Sequence, residues 1–132
     1  MSRKIVYIIG KYRDPDPVKI EKNIADAFEI GKLVIIARSE WTPVPHLWSR
    51  EFRDIHGIPE SYWLDSTRKF LYRSDAALVM SSWKTSKGSY NELQSCIREN
   101  IPYAFLPNNP TVEEVGRLLD QLSKQIEIPE PK

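Results

Sequence analysis

The run Asp75-Ala76-Ala77-Leu78-Val79-Met80 is almost continuously apolar, and it constrains the fold more than any other feature of the chain. A strand with one wet face alternates apolar and polar residues, whereas a strand this uniform is covered on both faces, as in a parallel sheet. Parallel strands cannot be joined by tight hairpins, so helices must return the chain between them.

Lys4-Ile5-Val6-Tyr7-Ile8-Ile9 is a β-branched strand ending at Gly10, and Asp16-Pro17 is a helix start with an aspartate cap and proline in the first turn. Apolar residues then recur at helical spacing through Ile20, Ile24, Ala27, Phe28, Val34 and Ile35. Leu33-Val34-Ile35-Ile36 also reads as a strand begun after Gly31, and the reading adopted is one helix to about Ser39. Thr42-Pro43-Val44-Pro45-His46 makes a short second strand whose prolines suit an edge or an end. The aromatic loop from Leu47 to Pro59, which holds Trp48, is long enough for a lid or an interface.

Ser61 to Arg73 reads as a second helix with Trp63, Thr67, Phe70 and Leu71 on one stripe, and the apolar run follows it. Beyond lie a helix from Ser89 to Glu99, a strand Tyr103-Ala104-Phe105-Leu106, and an amphipathic helix from Thr111 to Ile126 on Val112, Val115, Leu118, Leu119 and Leu122. The expected architecture is α/β, with five or so mainly parallel strands between two helical layers. A chain of 132 residues suits one domain, over 1–127, with a frayed tail at 128–132.

A formal net charge of +1 lacks the basic excess of a protein held by duplex phosphates, so the expected partner is a small polar molecule. The single Cys96 excludes an internal disulfide, and no run spans a bilayer or forms a signal peptide, so a cytoplasmic protein without membrane association is expected. Cys96 has no histidine near it in sequence and reads as a small buried residue. His46 and His56 lack companion ligands, so neither metal nor cofactor is expected.

Most of the chemistry lies in Ser81-Ser82-Trp83-Lys84-Thr85-Ser86-Lys87-Gly88-Ser89-Tyr90-Asn91-Glu92, between the apolar strand and a helix. Hydroxyls, backbone N–H groups and a helix start would converge there, a setting for phosphate or a sugar hydroxyl. Ser89-x-x-Glu92 also has the form of a capping box, in which Glu92 would be structural.

Taken in order, Tyr7 to Gly10 with Lys11 and Arg13, Asn23 with Ala27, Pro45-His46, Trp63-Leu64-Asp65, Asp75 to Leu78, and Trp83…Ser86-Lys87-Gly88…Glu92 resemble the nucleoside 2-deoxyribosyltransferase-like superfamily. The likeness covers residue 3 to about 106 and is strongest to a small bacterial and phage branch. It implies a flavodoxin-like fold and a glutamate, here Glu92, that attacks the anomeric carbon while an acid protonates the departing base. At the helix start, the dipole would keep Glu92 ionised.

The second carboxylate of characterised hydrolases falls at Thr67, and Asp65 is the nearest acid, with a helix-start role as its alternative. By the resemblance, Ser86 and Arg13 match phosphate-contacting positions, the alternatives being that Ser86 satisfies loop backbone and Arg13 is solvated. Tyr7 lies near the sugar or is a strand core residue, and Gly10 and Gly88 belong to the binding loops. Lys11 departs from the family and is either a phosphate contact or exposed. His46 contacts the ligand or a neighbouring backbone, Trp83 and Trp48 stack on a base or anchor an interface, and Asp75 reads as structural.

The expected function is N-glycosidic cleavage, by hydrolysis or transfer, of a nucleoside or nucleoside 5′-monophosphate by a homo-oligomer. The alternatives are a nucleotide-binding module without turnover and a protein-interaction domain.

Overall fold

The computed structural model describes residues 4–12, 14–45 and 56–126, the side chains of Glu60 and Leu64 excepted. Strand β1 (Lys4–Ile9) leads into α1 (Pro17–Ala37), then β2 (Trp41–Pro45), α2 (Glu60–Tyr72) and β3 (Ala76–Val79). A 3-10 turn over Ser81–Thr85 enters α3 (Lys87–Arg98), and β4 (Tyr103–Phe105) and α4 (Val112–Ile126) follow. Among the described residues the sheet has four strands rather than five, all parallel, in the order β2-β1-β3-β4.

The side-chain alternation of β1 and β3 builds two separate cores. Val6, Ile8, Ala76 and Leu78 face Ile30 and Val34 of α1 and Val115, Leu119 and Leu122 of α4. Tyr7, Ile9, Ala77 and Val79 face Leu71 of α2 and Leu93 and Cys96 of α3. Both central strands are covered on both sides, which is why the run after Asp75 is apolar throughout. The result is a flavodoxin-like three-layer α/β sandwich. No helix among the described residues is long and apolar enough to cross a membrane.

Leu33 to Ile36 lies within α1. The buried positions Ile24, Ala27, Ile30 and Val34 keep the helical period, while Phe28, Ile35 and Ile36 are exposed. Asp16 caps the helix, its Oδ1 accepting from the N–H of Val18 at 3.0 Å. The proline-bearing β2 lies at the sheet edge, as those residues require. In α2, Trp63 and Leu71 are buried but Phe70 is exposed, so the buried stripe is narrower than the sequence pattern. Asp75 is structural: its Oδ2 accepts from the N–H of Ile5 at 2.7 Å, and its own N–H donates to Ile5 O at 2.8 Å.

Two helix starts distinguish sequence pattern from geometry. Helix α3 begins at Lys87 rather than Ser89, and its N-cap is Ser86, whose Oγ accepts from the N–H of Ser89 at 3.1 Å. Ser89 and Glu92 therefore form no capping box. A capping box does form at α4, where Thr111 Oγ1 accepts from Glu114 N–H at 3.1 Å and Glu114 Oε1 accepts from Thr111 N–H at 2.9 Å.

Candidate functional site

Strand β1 lies between β2 and β3, and the chain leaves the C-terminal ends of β1 and β3 towards opposite faces of the sheet. From β1 it passes to α1 in one layer, and from β3 through the 3-10 turn to α3 in the other. This divergence makes the topological switch point at which open α/β sheets bind ligands. The two connections are tied together: the N–H of Lys11 donates to Ser82 Oγ at 3.0 Å, and the N–H of Met80 donates to Ile9 O at 2.8 Å. Asn23 Nδ2 holds the loop after β1 through Tyr12 O at 3.2 Å, and Lys11 Nζ lies 3.3 Å from the Asp14 carboxylate.

Beneath this point, α3 presents Ser89, Glu92 and Cys96 towards the sheet at spacings of three and four residues, which share a helix face. Tyr7 meets Glu92 and Cys96 from β1. Tyr7 is wholly buried and Ser89 is 1% exposed. Tyr7 Oη, Ser89 Oγ and Glu92 Oε2 are buried and have no hydrogen-bond partner. Tyr7 and Glu92 are near enough to influence each other's ionisation, yet their facing atoms do not meet hydrogen-bond geometry.

This burial sets the charge state. Removal from water pushes the Glu92 carboxyl up to about 8, against a smaller lowering influence from the Tyr7 hydroxyl. Ionisation by the helix dipole does not prevail, because Glu92, although partly exposed as a residue, lies in the second turn of α3, beyond the first-turn N–H groups, with its Oε2 buried. Burial, and then the neighbouring Glu92, raise the Tyr7 phenol well above its ordinary value. The same two influences push the Cys96 thiol up to about 12, so Cys96 is a protonated core residue rather than a thiolate nucleophile.

The structure brings together Tyr7, Glu92 and Cys96, with Ser89 one turn before Glu92 on the same face of α3. Gly10, buried, immediately follows β1. Gly88 is exposed in the first turn of α3, with nothing within 4 Å of where a Cβ would sit. Trp83 is half-buried in the 3-10 turn, its ring centroid 5.6 Å from that of Phe105. Both rings line an open groove with Ser81, Lys84, Leu106 and Asn108.

Asp65 is not brought to Glu92. Its side chain is 68% exposed on α2, with Oδ1 3.5 Å from Arg68, and it is absent from the influences acting on Glu92. Arg13, His46 and Trp48 lie outside the described residues.

Ser86 has a definite structural task as the α3 cap, while its hydroxyl proton is not used by that bond. Ser86→Ala is expected to destabilise the fold by about 1 kcal/mol, the usual value of a serine cap, as measured by urea unfolding. Ser89 is the site residue that sequence reading missed, because the Ser-x-x-Glu pattern assigned its hydroxyl to a cap. The Ser89, Glu92, Cys96 stripe was the available signal.

No family model and no curated protein sequence matches the chain. Among solved structures, a conserved protein from Enterococcus faecalis V583 is similar over 96% of this chain and 76% of its own, with a TM-score of 0.65 and 11% sequence identity. At that identity the likeness establishes the α/β fold alone.

Proposed function

We propose that the protein cleaves the N-glycosidic bond of a nucleoside or nucleoside 5′-monophosphate, with Glu92 as nucleophile. The observation that carries this reading is the partly exposed Glu92 at the switch point beside Tyr7, whose Oε2 is buried and satisfied by no protein group. In the reaction, a Glu92 oxygen bonds to the anomeric carbon as the carbon–nitrogen bond breaks. The bonding pair leaves with the base, which takes a proton, and water or a second base then releases the sugar from the glutamate. Ser86, Gly88 and Arg13 would receive a 5′-phosphate, and Trp83 would flank the base. A homo-oligomer belongs to the same reading, with exposed Phe28, Ile35 and Ile36 on α1 as apolar surface for contact.

Only the ionised glutamate attacks. Since Glu92 titrates near 8, kcat/KM for base release should rise about tenfold per pH unit below that value and level off above it. Release of free base from ribo- and deoxyribonucleoside monophosphates, followed from pH 5.5 to 9, provides the test. Absence of release from every nucleotide would remove the catalytic reading.

A second reading is a nucleotide-binding module without turnover. It is favoured by Asp65, whose exposure and pairing with Arg68 leave Glu92 without an identified acid partner. Nucleotide binding without base release at any pH would select it.

A further inference from the structure

We propose that this site is built for ribose rather than 2-deoxyribose, with Ser89 as the residue that recognises the 2′-hydroxyl. The inference rests on the glycosidic reading above for the position of the sugar, and it departs from the deoxyribose that the sequence resemblance implies.

The Ser89 hydroxyl is not satisfied by its own helix. Buried helical serines commonly bond back to a carbonyl one turn earlier. Ser95 does so, its Oγ donating to Asn91 O at 3.1 Å, and at the end of α2 Ser74 donates to Phe70 O at 2.8 Å. Ser89 sits in the first turn of α3, where the carbonyl four residues back, that of Thr85, belongs to the 3-10 turn. The Ser86 carbonyl already accepts from Tyr90 N–H at 3.0 Å. The Ser89 hydroxyl donates to neither carbonyl and is buried without a partner.

It has company. Buried side-chain atoms without partners among the described residues are Tyr7 Oη, Trp41 Nε1, Ser89 Oγ and Glu92 Oε2. Trp41 belongs to the opposite core; the other three belong to β1 and the sheet-facing side of α3. Each such atom is destabilising by about 1–3 kcal/mol, and native proteins retain few without a reason. Three such atoms on β1 and one face of α3, among them the Glu92 carboxyl's own Oε2, point to an external partner.

The required partner has adjacent groups that both donate and accept. A vicinal diol has that character, whereas 2-deoxyribose presents a methylene at C2′. If Glu92 attacks C1′, the substituent on the adjoining C2′ comes within the territory flanking the carboxylate, and Ser89 stands one helical turn from Glu92. A 2′-hydroxyl would pair with Ser89. A methylene would leave it buried and unpaired, the arrangement by which enzymes reject analogues lacking a hydroxyl.

Ribose 5-phosphate and 2-deoxyribose 5-phosphate test this without regard to the base, by calorimetric titration of the wild type and Ser89→Ala. The wild type should bind the ribose sugar at least about tenfold more tightly. Ser89→Ala should reduce that ratio to below about threefold by weakening ribose binding while leaving deoxyribose affinity unchanged. The variant should fold at least as stably as the wild type, because Ser89 Oγ makes no bond that is lost.

Equal or tighter wild-type binding of the deoxy sugar, no binding of either, or a preference that survives in Ser89→Ala would overturn the proposal. Base release is measured separately on matched ribo- and deoxyribonucleoside monophosphates. A Ser89-dependent ribose preference without any base release would support this inference and end only the catalytic reading. Glu92-dependent base release that is equal on both sugars would do the reverse.

Discussion

Glu92→Gln is expected to reduce base release by at least about a thousandfold while leaving the fold and nucleotide binding in place. The substitution separates chemistry from structure because Glu92 has no capping duty: the N-terminus of α3 is held by Ser86. A capping defect therefore cannot be mistaken for a catalytic one. Nor does the amide introduce a new buried charge, since the carboxyl it replaces, titrating near 8, is largely protonated at pH 7. What is lost is the oxygen that becomes nucleophilic on ionisation. Nucleotide affinity at pH 6, where the wild-type group is neutral, should agree within about threefold between the two proteins, a difference of about 0.65 kcal/mol. Base release by Glu92→Gln at the wild-type rate would exclude the glycosyl-enzyme step, whatever else the site binds.

The layer order was legible because each element carried its own period. Uniform apolarity of Ala76 to Val79 marked a central parallel strand, and Ile24, Ala27 and Val34 of the helical stripe do face inward on α1, joined there by Ile30. Phe28, Ile35, Ile36 and Phe70 extend these patterns yet remain exposed, so apolar identity did not determine which positions were covered. The start of α3 was obscured by two serines three residues apart, each able to cap. Ser86 caps because its backbone is extended, with φ −129° and ψ 114°, while Ser89 already lies inside the helix.

The electrostatics of the site could not be read from the sequence. Ser-x-x-Glu near a helix start suggests an anion stabilised by the dipole, and that inference fails once α3 packs onto the β1 side of the sheet and buries Oε2 of the partly exposed Glu92. The meeting of these residues depends on the register of β1 against β3 and the seating of α3. Both follow from tertiary packing, and no local pattern encodes them.

That burial has a second large consequence, in the stability of the fold itself. In the folded protein Glu92 titrates near 8, against 4.5 as its ordinary value, so between these pH values the folded chain retains a proton that the unfolded chain has released. Unfolding then releases a proton, and raising the pH favours unfolding. The contribution is complete below about 4.5, declines by as much as about 1.4 kcal/mol per pH unit, and is gone above about 8. Asp14 and Asp120, whose carboxyls sit below their ordinary range, act with the opposite sign at lower pH and do not cancel it. Cys96, raised to about 12, titrates above the window in the folded state. Urea midpoints of the wild type should therefore fall steadily from pH 5 to 8, whereas those of Glu92→Gln, which has no proton to lose, should stay nearly level. The variant should thus be the more stable protein at pH 8. A wild-type midpoint that stays constant over this interval would show that water reaches the Glu92 carboxyl in the folded state, and the pH-rate profile expected for base release would shift down with it.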